Sequence, residues 1–127
     1  MEYPTIIAML AIIQFLVFGI LVGKARGRTG IAAPATSGNE EFERYFRVHQ
    51  NTLEQLVMFL PAMYAFAVYV DSLWAAGLGV VYLIGRLIYL KSYTSDPASR
   101  GLGFMLTFVP TAIMVLGGII GAAQTLM

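Results

Sequence analysis

The chain contains no cysteine and only one histidine, His49. Disulfides, thiolate metal sites and a cysteine nucleophile are therefore excluded, and a histidine-rich metal centre has no ligands to build it. Charge is scarce as well. Charged residues make up 12% of the 127, about half the share of soluble chains, while hydrophobic residues reach 58%. So few charges cannot clothe a water-facing surface, which makes lipid the expected solvent. No nucleotide-binding glycine fingerprint, hydrolase triad, internal repeat or low-complexity segment is present, and no nucleic-acid partner is expected. The formal net charge of +1 selects no partner by itself, because a balanced total can be distributed unevenly.

What is abundant is apolar sequence in four blocks. Residues 5–23 are interrupted by one strongly polar side chain, Gln14, and are long enough to cross a hydrocarbon core of about 30 Å. This segment lacks a basic leader and a small-x-small cleavage site, so it is expected to be retained as a span rather than removed as a signal peptide. Residues 24–39 read as a solvent-facing loop. A polar helix is expected from Glu40, running into a second span at 56–70 and projecting beyond the membrane. Asp71 and Ser72 form a short turn before a third span at 73–90. Residues 91–100 connect to the fourth span at 102–123, with Asp96-Pro97 as a helix-start signal. Pro61 and Pro110 fall inside spans, and Gly19/Gly23 and Gly117/Gly121 are spaced for close helix approach. The expected fold is an all-α integral membrane bundle of four transmembrane helices, one domain over 1–127.

Basic residues set the expected topology. Lys24, Arg26, Arg28, Arg44 and Arg47 flank the first connection, Lys91 and Arg100 flank the third, and the second has none. The positive-inside tendency places connections one and three in the cytoplasm and both termini on the opposite side.

Two stripes carry the polar chemistry. Glu43, Arg47, Asn51 and Glu54 share one face of the projecting helix, and Tyr82, Arg86, Tyr89 and Tyr93 share one face of the third helix. The first stripe suits a zwitterionic ligand. The stripe also reads as a solvated surface stitched by Glu43–Arg47 pairing. An aromatic belt at the membrane boundary accounts for Tyr93 and Tyr89 but not for Arg86, which lies inside the apolar stretch. Glu54 is the acidic side chain at comparable depth, so an Arg86–Glu54 contact is expected. Arg100, in the first turn of the fourth helix, and the amide groups near Pro97 suggest an anion site, with snorkelling to lipid headgroups as the alternative. His49 and Gln50 read as surface residues.

The stretch Phe42-Glu43-Arg44-Tyr45-Phe46-Arg47-Val48-His49-Gln50-Asn51-Thr52-Leu53-Glu54 resembles the MAPEG family, membrane-associated proteins in eicosanoid and glutathione metabolism. Residues 81–93 are similar to the family's third-helix pattern, Arg86-x-x-Tyr89-x-x-x-Tyr93, and Arg100 follows at the matching distance. The resemblance implies a homotrimer with glutathione, as co-substrate, held between subunits on the cytoplasmic side. It implies glutathione binding by Arg47, Asn51, Glu54, Tyr89 and Tyr93, thiolate stabilisation by Arg100, and contributions across the interface from Arg26 and His49. Arg86 is a structural polar residue in this reading, and no metal is expected. Leukotriene-forming members carry Tyr after the motif glutamate and Gln at the position of His49. This chain has Gln55 and His49, so the resemblance implies a general detoxifying transferase, microsomal glutathione transferase-like, acting on hydrophobic electrophiles, with lipid hydroperoxide reduction as a second activity. The compact chain is compatible with a bacterial member.

The physical fit stands beside the resemblance: a tripeptide with two carboxylates and one ammonium calls for arginines with a carboxylate among them. Two other functions compete. A non-enzymatic lipid-binding scaffold of the same fold needs no thiolate site. A small proton-coupled exporter needs a deep carboxylate, whereas Glu54 lies shallow beside a basic helix.

Overall fold

The computed structural model describes residues 1–127. The chain forms four long helices, α1 (Glu2–Thr29), α2 (Glu40–Tyr69), α3 (Ser72–Ser95) and α4 (Gly101–Thr125), with a single 3-10 turn at Pro97–Ser99. All four are long and apolar enough to cross a membrane. Only 31 of 127 residues are buried, and the outward faces carry Ile13, Leu16, Val57, Leu73, Trp74 and Ile119. Such a skin would aggregate in water. It suits hydrocarbon, where helices also satisfy their own backbone.

Local chemistry sets most helix ends. Asn39 Oδ1 accepts the Phe42 amide at 3.1 Å to open α2, and Glu40, Glu41 and Glu43 follow in a first turn that favours negative charge. Asp71 Oδ1 accepts the Trp74 amide at 2.9 Å to open α3. Asp96 accepts from Ala98 at 3.1 Å, but what it starts is the 3-10 turn, and α4 begins only after Arg100.

Two expected boundaries need correction. Residues 24–29 are helical, so α1 carries Lys24, Arg26 and Arg28 beyond the apolar span and ends where Gly30 adopts φ 76°. The change to basic residues marks where the helix leaves the hydrocarbon, and Lys, Ala and Arg are good helix formers. Likewise α3 continues through Ser95, so the connection expected over 91–100 begins only at Asp96.

Helices α2 and α3 each pack on all three other helices, while α1 and α4 flank that pair. The main core joins Phe59, Met63 and Phe66 of α2 to Ile7 and Ala11 of α1, Tyr82 of α3 and Met114 of α4. Phe59 and Tyr82 stack with ring centroids 3.8 Å apart. Backbones of α3 and α4 touch: a Cβ at Gly103 would lie 2.5 Å from the Tyr89 amide nitrogen, and one at Gly85 would lie 2.8 Å from the Leu106 carbonyl carbon. Of the two small-residue pairs read from the sequence, Gly117/Gly121 does pack closely, on Phe66 and Tyr69 of α2. Gly19 faces the His49 ring instead, and a Cβ at Gly23 would meet nothing.

The α3–α4 connection is tied down from α2. Arg44 Nη1 donates to the carbonyls of Thr94 and Ser95 at 3.2 and 3.1 Å, where α3 runs out of internal donors, and its Nη2 pairs with Glu40. Ser99 Oγ also meets the carbonyls of Ser92 and Asp96, at 3.1 and 2.7 Å.

Replacing Gly103 with Leu should destabilise the detergent-purified protein by about 1–3 kcal/mol, because the backbones cannot separate without disturbing α3. Thermal unfolding checks this, and an unchanged midpoint would contradict the close approach. Arg44→Ala should cost about 1 kcal/mol and speed amide exchange between Asp96 and Arg100. Exchange matching the parent there would show that Arg44 does not restrain the connection.

Candidate functional site

The end of α2 nearest Asn39, the end of α3 nearest Ser95 and the start of α4 lie at the same pole of the bundle, because consecutive helices alternate in direction. A cleft of about 540 Å³ opens there, lined by Arg47 and Asn51 of α2, Tyr89 and Tyr93 of α3, and Arg100 and Phe104 beside or within α4. The helical period makes this convergence possible. Positions four apart differ by about 40° around the axis, so each pair on α2 and α3 faces one way.

Each side chain has a distinct support. Tyr89 is buried in a small cluster with Phe18 and Val48, and its ring stacks on Tyr93 with centroids 5.5 Å apart. Arg47 is half-exposed, with its Nη2 3.6 Å from Glu54 Oε1. Glu54 does not line the cleft but stands exposed beside Arg47. Arg100 is exposed, and its Nη1 donates to the Pro97 carbonyl at 2.9 Å, which leaves the rest of the guanidinium available. No carboxylate lines the cleft. Two guanidinium groups, a carboxamide and two phenols therefore face a space suited to a small anionic molecule, with Phe104 as an apolar wall.

The expected Arg86–Glu54 contact is absent. Arg86 is fully buried, and its charge is met by neutral oxygens: Asn51 Oδ1 at 2.7 Å, Thr107 Oγ1 at 3.0 Å and Thr52 Oγ1 at 3.2 Å. The guanidinium carbon also lies 4.3 Å from the Tyr89 ring centroid. Glu54 misses this pocket because it is displaced by one residue, a rotation of about 100°, from Gln55, which occupies the buried face. The Glu43–Arg47 pair is not formed either, since Glu43 Oε2 accepts the Gly38 amide at 3.2 Å.

His49 is a further correction. It is partly buried rather than a surface residue, stacked on Phe15 of α1 with centroids 4.4 Å apart and set against Gly19. Arg26 sits over the Phe42 ring at 4.6 Å and donates to the Ala35 carbonyl at 2.8 Å, bracing the first connection. Neither residue lines the cleft of its own chain. Phe104, Thr52 and Thr107 went unread in the sequence. An aromatic and two threonines inside apolar segments carry no pattern of their own, and only their neighbours across the bundle reveal them.

Comparison with known proteins agrees with this architecture. The MAPEG family model matches residues 4–120. An uncharacterised protein of Synechocystis sp. is 45% identical over 118 residues, covering 93% of this chain and 86% of the relative. Human microsomal glutathione S-transferase 2 is 33% identical over 121 residues, covering 95% of this chain and 82% of the relative. Rat leukotriene C4 synthase is 31% identical over 94 residues, covering 74% and 63%. With its family model matched over nearly the whole chain and four helices fit to cross a bilayer, the protein is a multi-pass integral membrane member of the MAPEG family.

Proposed function

We propose that the protein is a glutathione transferase that joins the glutathione thiolate to hydrophobic electrophiles drawn from the bilayer. The observation that carries this reading is the convergence of Arg47, Asn51, Tyr89, Tyr93 and Arg100 on one acid-free cleft at the bundle's polar end. The similarity to microsomal glutathione S-transferase 2 supports it.

Glutathione presents two carboxylates and one ammonium. Arg47 answers a carboxylate and Glu54, 3.6 Å from it, answers the ammonium, while Asn51, Tyr89 and Tyr93 supply directional hydrogen bonds. Arg100 stands at the rim, where turning away from Pro97 brings its free N–H groups to the ligand sulfur. A guanidinium beside a thiol favours the thiolate, and each unit of pKa lowering corresponds to about 1.4 kcal/mol. The sulfur then attacks the electrophilic carbon, forming the C–S bond. The leaving group departs, or the adjacent position takes a proton from solvent. Catalysis rests on thiolate formation and proximity, with no covalent intermediate on the protein. Hydroperoxide reduction belongs to this reading as a second activity: the thiolate takes the terminal oxygen and releases the alcohol, and a second glutathione converts the resulting sulfenic acid to the disulfide and water.

In this reading the polar pole faces the cytoplasm, where connections one and three collect basic side chains, and three copies assemble with Arg26 and His49 at the subunit boundary. Arg26 reaches a neighbour's ligand only by releasing the Ala35 carbonyl.

Arg100→Ala should lower kcat roughly tenfold to a thousandfold while changing glutathione affinity much less. The ultraviolet absorbance of bound thiolate at neutral pH should fall with it. Full turnover and an undiminished thiolate signal in the variant would exclude Arg100 as activator. Arg47→Ala should show the opposite split, raising KM for glutathione roughly tenfold or more with a smaller change in kcat. An unchanged KM would remove Arg47 from the ligand site.

A further inference from the structure

The side chains around Arg86 have hydrogen-bond polarities that are already decided. Thr52 gives its hydroxyl hydrogen to the Val48 carbonyl at 2.7 Å, and Thr107 gives its own to the Gly103 carbonyl at 2.8 Å. Each hydroxyl has a single hydrogen, so both offer only lone pairs to Arg86. The third neighbour, Asn51, is decided in the same way. A guanidinium has donors and no acceptor, so the Asn51 atom 2.7 Å from Nη1 has to be the carbonyl oxygen. The Asn51 amide nitrogen then points away from Arg86, donates to no protein group, and belongs to a side chain that lines the cleft.

The charge of Arg86 has the same bearing. All three of its hydrogen-bond partners are neutral, it makes no salt bridge, and its Nη2 is buried without a partner. A fully buried cation lacking a counter-ion favours negative charge in the nearest accessible space. That space is the cleft, reached through Asn51 and through Tyr89, whose ring lies against the guanidinium.

We propose that Arg86 is a positioning residue that locks Asn51 with its N–H groups toward the cleft, so that this position selects a carboxylate of the bound ligand over a carboxamide. This rests on the glutathione reading above and deepens it. Arg86 touches no substrate. It acts by denying Asn51 the flipped orientation that would offer an oxygen to the ligand.

The test is binding of three peptides to detergent-purified parent, Asn51→Asp and Arg86→Met proteins, with thermal unfolding run alongside. The peptides are glutathione, its glycine carboxamide, and its γ-glutamyl α-carboxamide. Asp at position 51 keeps an acceptor for Arg86, so the fold is retained, but the group facing the cleft loses its donors. The parent should prefer glutathione to both carboxamides. Asn51→Asp should bind glutathione roughly tenfold to a hundredfold more weakly and should reverse the preference for one of the two carboxamides, the one whose carboxylate Asn51 meets. Arg86→Met, where it folds, should lose the discrimination at that same carboxylate and keep it at the other, an effect that general loosening of the bundle does not produce. Equal affinities in parent and Asn51→Asp, or uniform weakening across the three peptides, would overturn the proposal while leaving the transferase reading intact. A parent protein that binds none of the three overturns the transferase reading itself, and this inference with it.

Discussion

The arrangement depends on one guanidinium that has no carboxylate to meet it. Burying a charge is expensive unless its hydrogen-bonding capacity is matched. Arg86, on α3, meets that demand with oxygens from Asn51 and Thr52 on α2 and from Thr107 on α4. A slide of either helix by one residue would remove an acceptor and leave the cation less satisfied. The helices are therefore held in axial register by a polar cluster of short reach, at a level where lipid on the outside provides no such restraint. Asn51 of this cluster also lines the cleft, so the groups that align the bundle also orient a group that faces that space.

Around this centre the close contacts of Gly85 and Gly103 perform a complementary task. They bring the α3 and α4 backbones together at Tyr89 and Leu106, close enough for Thr107 to reach Arg86. Tyr89 is thus fixed from several sides: by the α4 backbone at its amide, by Arg86 at its ring, by Tyr93 in a stack, and by Phe18 and Val48. Toward the opposite pole no charged side chain is buried. Its interior is Phe59, Met63, Phe66 and Met114, which any lipid-embedded helix bundle could use.

Much of this was legible in one dimension. The four apolar blocks marked the spans because only helices of that length satisfy their backbone in hydrocarbon. Steps of four placed Arg47 with Asn51 and Tyr89 with Tyr93, and these are the pairs that line the cleft. The partner of Arg86 was not legible. Spacing along a helix tells which side chains share a face, but not which oxygens a neighbouring helix presents, and opposite charge directed attention to Glu54 when neutral Asn51, Thr52 and Thr107 stood nearer. The C-terminal end of α1 departs from expectation for a different reason, since polarity reports contact with water and not the end of a helix. His49 looked superficial because its neighbours in sequence are polar, whereas its partners, Phe15 and Gly19, lie on another helix.

The lengths of α1 and α2 have one more implication. At 28 and 30 residues, these helices measure about 42 and 45 Å, longer than a hydrocarbon slab of about 30 Å. Their overhanging turns are laced together by Arg28 and Glu41 at 2.7 Å and by the ring contact of Arg26 with Phe42. The overhang acts as a stiff collar at the pole of the bundle where the cleft opens. A thicker bilayer rises against such a collar and a thinner one exposes it, at a modest energetic cost per ångström. The thickness of the host membrane thereby sets how far this pole, and the cleft in it, stands clear of the acyl chains.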